Sequence, residues 1–321
     1  MAQKPQKLPP EIWNNVFGYL SAAEKFNVRA TCKFFKTIVD HRSLWKDWTV
    51  VLDFKNGSYN KKFWDTLRHR HVSSVVVKST KMKHWKQLAL FLPILTTVVM
   101  DQSSQECFSC LTGFPNMRRL VLRNNSSDLL LDISRFPLFL PERLTYLSMC
   151  GVMFPTTSVS KFISVLSQFK NIESLICHQV GIVGETMWML HSTLACLHKL
   201  KHLSLSGLTS EDMAAIAVQV PNLHHLHVDP WPSHLGAHTA DLPRLFPKLK
   251  SLKIRHEHVP EGDFLELCHL QDLKHLEILD NTPQLSALTG KLQALTEYRL
   301  QIRTFPYQRD VLSCPCVSQV Y

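Results

Sequence analysis

A nine-residue unit recurs along most of this chain, and it constrains the fold more than any other feature of the sequence. The unit has the form apolar-x-x-L-x-x-L-x-L. Clear copies are FPNMRRLVL from Phe114, FKNIESLIC from Phe169, LHKLKHLSL from Leu197, VPNLHHLHV from Val220, FPKLKSLKI from Phe246 and LQDLKHLEI from Leu270. In each copy, the anchor is the residue three positions before an apolar residue of the strand. Including looser copies, the anchors are Val72, Leu95, Met117, Leu144, Ile172, Leu200, Leu223, Leu249, Leu273 and Leu295.

Successive anchors are 22 to 28 residues apart, and periods of about 20–29 residues with L-x-x-L-x-L are typical of leucine-rich repeats. The L-x-L part alternates apolar and polar residues, as a strand with one buried face requires. Helical patterns lie between the strands. One starts at Thr209 to Asp212 with a capping-box pattern and stops before Pro221, and another spans residues 158–169.

These repeats depart from the family pattern, because asparagine follows the strand only at Asn125 and Asn281. We predict an α/β fold in which about ten irregular repeats form a solenoid with parallel strands on its concave face. A chance leucine pattern in an ordinary α/β domain is the alternative. A chain of 321 residues is long for one core. We expect an N-terminal domain over residues 1–50, the solenoid over 51–305 and a tail over 306–321.

The first fifty residues lack the repeat and predict short helices instead. Leu8-Pro9-Pro10-Glu11 is a helix start, with proline and an acid in the first turn. Behind it, Ile12, Val16 and Leu20 fall at i, i+4 and i+8, and Trp13 and Phe17 form the neighbouring stripe. A second apolar segment runs over residues 24–39. Such short helices cannot bury all their apolar surface alone, so they need a partner.

The segment from Leu8 to Trp45 resembles an F-box. It has the LP start, Val16, Phe17 and Leu20 at the end of the first helix, Cys32-Lys33 with Phe35, and the closing Ser43-Leu44-Trp45. Lys25 and Phe34 depart from the usual pattern. With the repeats, the whole chain resembles F-box and leucine-rich-repeat proteins, which are substrate receptors of SCF ubiquitin ligases.

The resemblance implies that the N-terminal helices bind a Skp-family adaptor, that a cullin is reached through the adaptor, and that the repeats hold a protein substrate for ubiquitination. The residues expected to bind the adaptor are Leu8, Pro9, Ile12, Val16, Phe17, Leu20, Phe26 and Trp45. The alternative is that they form only the internal core of a three-helix cap. We expect this cap to pack on the solenoid through residues 48–52.

Strand alternation predicts the side chains on the concave face, because residues flanking a buried strand residue point to the other side. The basic ones predicted to bind substrate are Arg119, Arg123, His202, His225, His227, Lys253, Arg255 and Arg299. With a net charge of +10, they predict an acidic or phosphorylated substrate segment. A solvated basic face, with the substrate held at a rim or loop, is the alternative.

The sequence does not favour catalysis, a metal or a cofactor. It contains none of the common nucleotide-binding, hydrolase or HExxH motifs, and His256-Glu257-His258 has the wrong spacing to place two histidines on one helix face. Cys107 and Cys110 form one CxxC without a second pair at a zinc-ribbon distance. Direct nucleic-acid binding or a scaffold role outside a ligase are rival functions, and charge alone supports the first.

The expected compartment is the cytoplasm, the nucleus or both. The N-terminus MAQKPQKLPPEIW lacks the apolar region of a secretory signal. The longest apolar stretch, residues 88–100, has 13 residues, and a membrane helix needs about 20. We therefore expect no membrane association and mostly free cysteines.

Overall fold

The structure is a computed structural model of the whole chain. It describes residues 8–46, 48–101, 105–123, 142–154, 159–178, 180–182, 193–230, 239–255, 259–279 and 284–305. The tail from 306 and the positions Asn125, Asn281 and 256–258 lie outside these ranges.

Three helices open the chain: α1 (Pro10–Gly18), α2 (Ala22–Thr31) and α3 (Lys33–Val39), followed by a 3₁₀ turn at Arg42–Leu44. Ser21 caps α2: its hydroxyl accepts from the Glu24 N–H and the Glu24 carboxylate accepts from the Ser21 N–H, a complete capping box. The helices enclose a small core that includes Phe17, Val39 and Trp45.

In the described part of the chain, a parallel sheet of eleven strands follows, in the order β1-β2-β3-β4-β5-β7-β9-β10-β11-β12-β13. Its strands are β1 (Thr49–Asp53), β2 (Ser74–Lys78), β3 (Thr97–Asp101), β4 (Arg119–Arg123), β5 (Tyr146–Cys150), β7 (Ser174–His178), β9 (His202–Leu208), β10 (His225–Pro230), β11 (Ser251–Arg255), β12 (His275–Leu279) and β13 (Gln301–Phe305). Two short strands, β6 (Met153–Phe154) and β8 (Gly181–Ile182), pair separately. The predicted parallel solenoid is confirmed.

Helical segments connect the strands and cover one side of the sheet. They are α4 (Lys61–His69), α5 (Met82–Phe91), a 3₁₀ segment (Gln105–Gly113), α6 (Val159–Leu166), α7 (Ser210–Gln219), α8 (Leu242–Leu245), α9 (Glu261–Leu265) with a 3₁₀ turn (Glu266–His269), and α10 (Leu285–Leu295). The predicted capping box of α7 is present, with Thr209 accepting from the Asp212 N–H and Asp212 accepting from the Thr209 N–H.

The core runs through the solenoid between sheet and helices, because equivalent residues pair from strand to strand. Leu226 pairs with Leu203 on one side and with Leu252 on the other, and all three are buried. The anchor leucines, such as Leu223 and Leu249, are also buried, and each lies two residues before the first residue of its strand. Each repeat therefore buries its apolar face against its neighbours, and its stability depends on the interfaces with them.

The two ends of the sheet differ from the sequence prediction. β1 is an additional strand, paired in parallel with β2, so residues 49–53 form the first strand of the solenoid. At the other end, Leu295 was expected to anchor a strand at residues 298–300, but α10 continues to Leu295 and a turn follows. Glu297 and Tyr298 adopt positive φ in this turn, and β13 starts only at Gln301.

Candidate docking surfaces

The opening helix α1 has one buried and one exposed apolar stripe. Phe17 is 3% exposed, and Trp13 packs beside it with a ring-centroid distance of 5.5 Å. Leu8, Ile12 and Val16 are 45%, 44% and 45% exposed. Four-residue spacing places Ile12 and Val16 on one side of the helix, and Leu8 lies two residues before its first residue. These large apolar side chains therefore face water, while the opposite face of α1 packs into the protein through Trp13 and Phe17.

The eight residues expected to bind the adaptor therefore divide into two groups. Leu8, Pro9, Ile12, Val16 and Phe26 are exposed and Leu20 is half-buried, so these are available to a partner. Phe17 and Trp45 are buried in the three-helix core. For those two residues the alternative of an internal core describes the geometry better. They pack inside the three-helix core that holds α1 and its exposed stripe in place.

A buried arginine joins the helices to the solenoid. Arg70 follows α4, and its Nη2 lies 3.0 Å from Oδ1 of Asp40. Its guanidinium lies over the Trp45 ring at 4.1 Å, close to Phe26 and Trp48 as well. Burial lowers the pKa of Arg70, although the hydrogen bond that Arg70 donates to Asp40 opposes this. Sequence reasoning missed this contact, because nothing in the local pattern relates residue 70 to the N-terminal helices.

The carboxylate of Asp40 has a second basic partner, Arg29, which donates from Nε at 2.6 Å and from Nη2 at 3.0 Å. Burial alone would raise the pKa of Asp40, but the hydrogen bonds from Arg29 and Arg70 outweigh it and lower the pKa. Asp40 is thus held ionised between a helix of the N-terminal domain and the first repeat, which ties the two parts together.

The concave face is less open than strand alternation alone suggests. A second apolar cluster of buried side chains lies on this face: Val76, Val99, Val121, Tyr146, Cys150 and Ile176. Among the predicted substrate-binding residues, Arg123, His227 and Arg255 are buried. Arg119 is half-buried, with its guanidinium 4.1 Å from the centroid of the Tyr146 ring.

His202, His225 and Lys253 remain accessible on the concave face, although Lys253 is already 3.4 Å from the carboxylate of Glu277. Arg299 does not lie on this face. It precedes β13, and its guanidinium donates to the carbonyl oxygens of Leu273, Leu270 and Cys268. The prediction started this strand at residue 298, three residues before β13 begins, so Arg299 lies in the turn and donates to carbonyls of the preceding repeat instead of facing the concave side.

Histidines on neighbouring strands of this face pair with hydroxyl and thiol groups. Their Nδ1 distances are 3.2 Å for Ser174 to His202, 2.8 Å for Ser204 to His227 and 3.7 Å for Cys150 to His178. Burial, with His225 nearby, lowers the pKa of His202 to about 4. Burial likewise lowers the pKa of His227, with Lys253 adding to the effect. His202 and His227 are therefore neutral at pH 7, so the face is less cationic than its count of histidines suggests.

Within the described ranges, no group of three or more histidine, cysteine or acidic residues is arranged to hold a metal ion. None of the described helices combines the length and apolarity that crossing a membrane demands. Seven cysteines among the described residues are free thiols, three of them buried.

Comparison with known proteins identifies the N-terminal domain. Residues 5–49 match the family model described as F-box-like. Among curated proteins, none matches this chain. A solved internalin from Listeria monocytogenes is 15% identical, with 76% of this chain and 77% of that chain covered and a TM-score of 0.39.

A solved protein from Bacteroides fragilis is 12% identical, with 80% of this chain and 64% of that chain covered and a TM-score of 0.32. The assignment of the remaining residues to leucine-rich repeats rests on the fold of this chain itself. Its strands are parallel, its anchor residues are buried, and its repeat length matches that of leucine-rich repeats. The chain therefore consists of an F-box-like N-terminal domain followed by a solenoid of the leucine-rich-repeat type.

Proposed function

We propose that this protein is a substrate-recognition subunit of an SCF-type ubiquitin ligase, in which the F-box-like helices bind a Skp-family adaptor and the solenoid binds the substrate. The observation that carries the proposal is the exposed apolar stripe of Ile12 and Val16 on α1, with the exposed Leu8 just before that helix, inside the F-box-like segment. Exposed apolar rows on a folded domain mark surfaces that a partner covers.

The mechanism that follows is one of positioning. The adaptor links this protein to a cullin, which carries a loaded conjugating enzyme. A substrate bound to the solenoid therefore meets that enzyme at an effective concentration of up to ~mM. Bond making belongs to the conjugating enzyme, and this chain supplies selection. The cytoplasm and the nucleus are the compartments in which such a complex would act.

Adaptor binding is tested with the double variant Ile12→Asp, Val16→Asp. Both side chains are exposed, so folding should persist, while two apolar anchors of ~2 kcal/mol each are lost from the interface. The matched control is Leu90→Asp, Val218→Asp, because these residues are 69% and 78% exposed on outer helices of the solenoid.

We expect tagged wild-type protein and the control to recover Skp-family adaptor and cullin from cells, and the double variant to recover neither. Adaptor retained by the folded double variant would show that the stripe is not the docking surface. Adaptor without cullin in the wild type would favour the rival scaffold role. On the substrate side, Arg119, His202, His225 and Lys253 remain the concave-face candidates for binding an acidic or phosphorylated segment.

A further inference from the structure

Five of the lysines lie at one edge of the solenoid, outside the concave face. The basic edge consists of the three residues preceding each of β9, β10, β11 and β12, that is residues 199–201, 222–224, 248–250 and 272–274. The central residue of each triplet is the buried anchor leucine. The flanking residues are Lys199 and Lys201, Asn222 and His224, Lys248 and Lys250, and Asp272 and Lys274. The eight flanking residues thus include five lysines and one histidine but only one acidic residue, Asp272.

Backbone hydrogen bonds hold the second flanking residue of each triplet at a fixed spacing. The N–H of His224 donates to the carbonyl of Lys201, that of Lys250 to His224, and that of Lys274 to Lys250, at 2.8 to 2.9 Å. Neighbouring strands lie about 4.8 Å apart. The four side chains are therefore successive steps of one rigid ladder about 14 Å long.

Asparagines orient two of the lysines across repeats. Lys199 Nζ donates to Oδ1 of Asn171 at 2.7 Å, and Lys248 Nζ donates to Oδ1 of Asn222 at 2.6 Å. Lys201 Nζ lies 3.5 Å from the carboxylate of Glu173. The other four lysines of the basic edge have no carboxylate within salt-bridge distance among the described residues. Like charges on adjacent strands repel one another. After burial, the charges of Lys250, Lys201 and Lys248 are the causes that lower the pKa of His224.

We propose that the basic edge is a docking site for a short, aspartate- or glutamate-rich segment of a protein partner. The proposal rests on the proposed function, since it assigns the substrate class of the same receptor. An extended segment advances about 3.3 Å per residue, so four to five residues cover the ladder. Their carboxylates would pair with the four lysines that lack a carboxylate partner among the described residues, and they would relieve the repulsion between Lys250 and Lys274 on adjacent repeats.

The composition of the edge favours spread carboxylates over a phosphate group or a nucleic acid. Recognition of a single phosphate uses clustered arginines with bidentate contacts, and the four triplets contain no arginine. They also contain no aromatic residue on which bases could stack. A ladder of 14 Å faces about four phosphates of one duplex strand, whereas nucleic-acid-binding proteins often neutralise about 6–10.

The test measures binding of fluorescein-labelled Ser-Glu-Ser-Glu-Ser-Glu-Ser-Glu to the full-length protein by anisotropy, at 50 and 150 mM salt. The variant Lys201→Glu, Lys250→Glu, Lys274→Glu reverses the ladder. Its matched control is Lys61→Glu, Lys62→Glu, Lys86→Glu, which makes the same charge change at exposed positions on α4 and α5. The triple Gln variant of the ladder removes charge without adding repulsion.

We expect the Glu variant to bind the peptide at least about tenfold more weakly than wild type, the Gln variant to fall in between, and the control to match wild type. Binding by wild type should weaken with salt, and a Ser-Gln peptide should not bind. Equal binding by the ladder variants and the control would overturn the proposal. So would stronger wild-type binding to a singly phosphorylated serine peptide or to a 12-nucleotide DNA duplex.

Adaptor recovery separates this proposal from the one on which it rests. The Glu variant should still recover the Skp-family adaptor, because the ladder and the α1 stripe lie in different parts of the chain. Peptide binding with no adaptor recovery in the wild type would refute the ligase role and leave the basic edge standing. Adaptor recovery with no binding of the Ser-Glu peptide would refute the basic edge alone.

Discussion

Replacing Arg70 by alanine should destabilise the junction between the F-box-like helices and the solenoid. The substitution removes a guanidinium that lies 4.1 Å from the centre of the buried Trp45 ring and 3.0 Å from the carboxylate of Asp40. A desolvated cation–π contact contributes ~2 kcal/mol. Removing one member of a buried ion pair costs ~3–5 kcal/mol when the partner is left alone.

Asp40 is not left alone, because Arg29 still donates two hydrogen bonds to it, and its side chain is 24% exposed. We therefore assign ~1 kcal/mol to the lost ion pair, and Arg70→Ala should lower the free energy of unfolding by ~3 kcal/mol in total. Arg70→Lys keeps the charge but loses the planar group over the ring, so about half of that loss is expected.

Urea unfolding followed by tryptophan fluorescence measures this loss, since Trp45 and Trp48 report on the contact itself. Arg68→Ala is the control, because Arg68 is exposed on α4, two residues before Arg70. Its effect should stay within ~0.5 kcal/mol of wild type. If Arg70→Ala and Arg68→Ala unfolded at the same urea concentration with the same slope, the junction would not depend on Arg70 and the reasoning would be wrong.

Three further outcomes are expected. Gly113→Ala should destabilise the protein by ~1–3 kcal/mol in thermal unfolding, because an added Cβ would lie 2.6 Å from the Cβ of Ala89, whereas Gly262→Ala, with no atom within 4 Å, should not. His202 has a folded pKa of about 4 against ~6.5 unfolded, so its contribution is fully present above pH 6.5 and is lost as the pH falls towards 4. In urea titrations at several pH values, His202→Asn should flatten this dependence, by up to ~3 kcal/mol. The Cys177 thiol, with its pKa raised to about 12 by burial, should resist iodoacetamide until the chain unfolds, as peptide mass spectrometry would show.

Repeat periodicity predicted the strands equally well after leucine anchors and after the other apolar anchors Val72, Met117 and Ile172. Nine of the ten anchors stand three residues before a buried apolar residue of a strand, as in Leu200 and Leu203. The missed strand β1 lacks a leucine anchor, since Trp48 occupies the turn before it and packs on Trp45. The error at β13 arose because the helical pattern of α10 runs on to Leu295, which then cannot be a strand anchor.

The docking residues show what periodicity leaves open. It separates the Ile12 and Val16 stripe from the Trp13 and Phe17 stripe, but both are apolar, and only packing against Phe35 decides which is buried. On the sheet, alternation assigns a face correctly without revealing that Arg123 and Arg255 are covered there. The basic edge was readable in principle from the two residues around each anchor, as in Lys-Leu-Lys at 199–201 and 248–250.

The continuous parallel sheet fixes the distance between the F-box-like helices and any segment bound to a later repeat. Each strand moves the next one by about 4.8 Å, and β9 is six steps from β1 in the sheet order, while β12 is nine. A segment bound along β9 to β12 would therefore be held roughly 30–40 Å along the arc from the F-box-like end. Because every strand is bonded to its neighbours, the insertion or loss of one repeat would displace the bound segment by one strand spacing and rotate it by the local twist. The number of repeats between the two ends would then determine which substrate lysines come within reach of a conjugating enzyme.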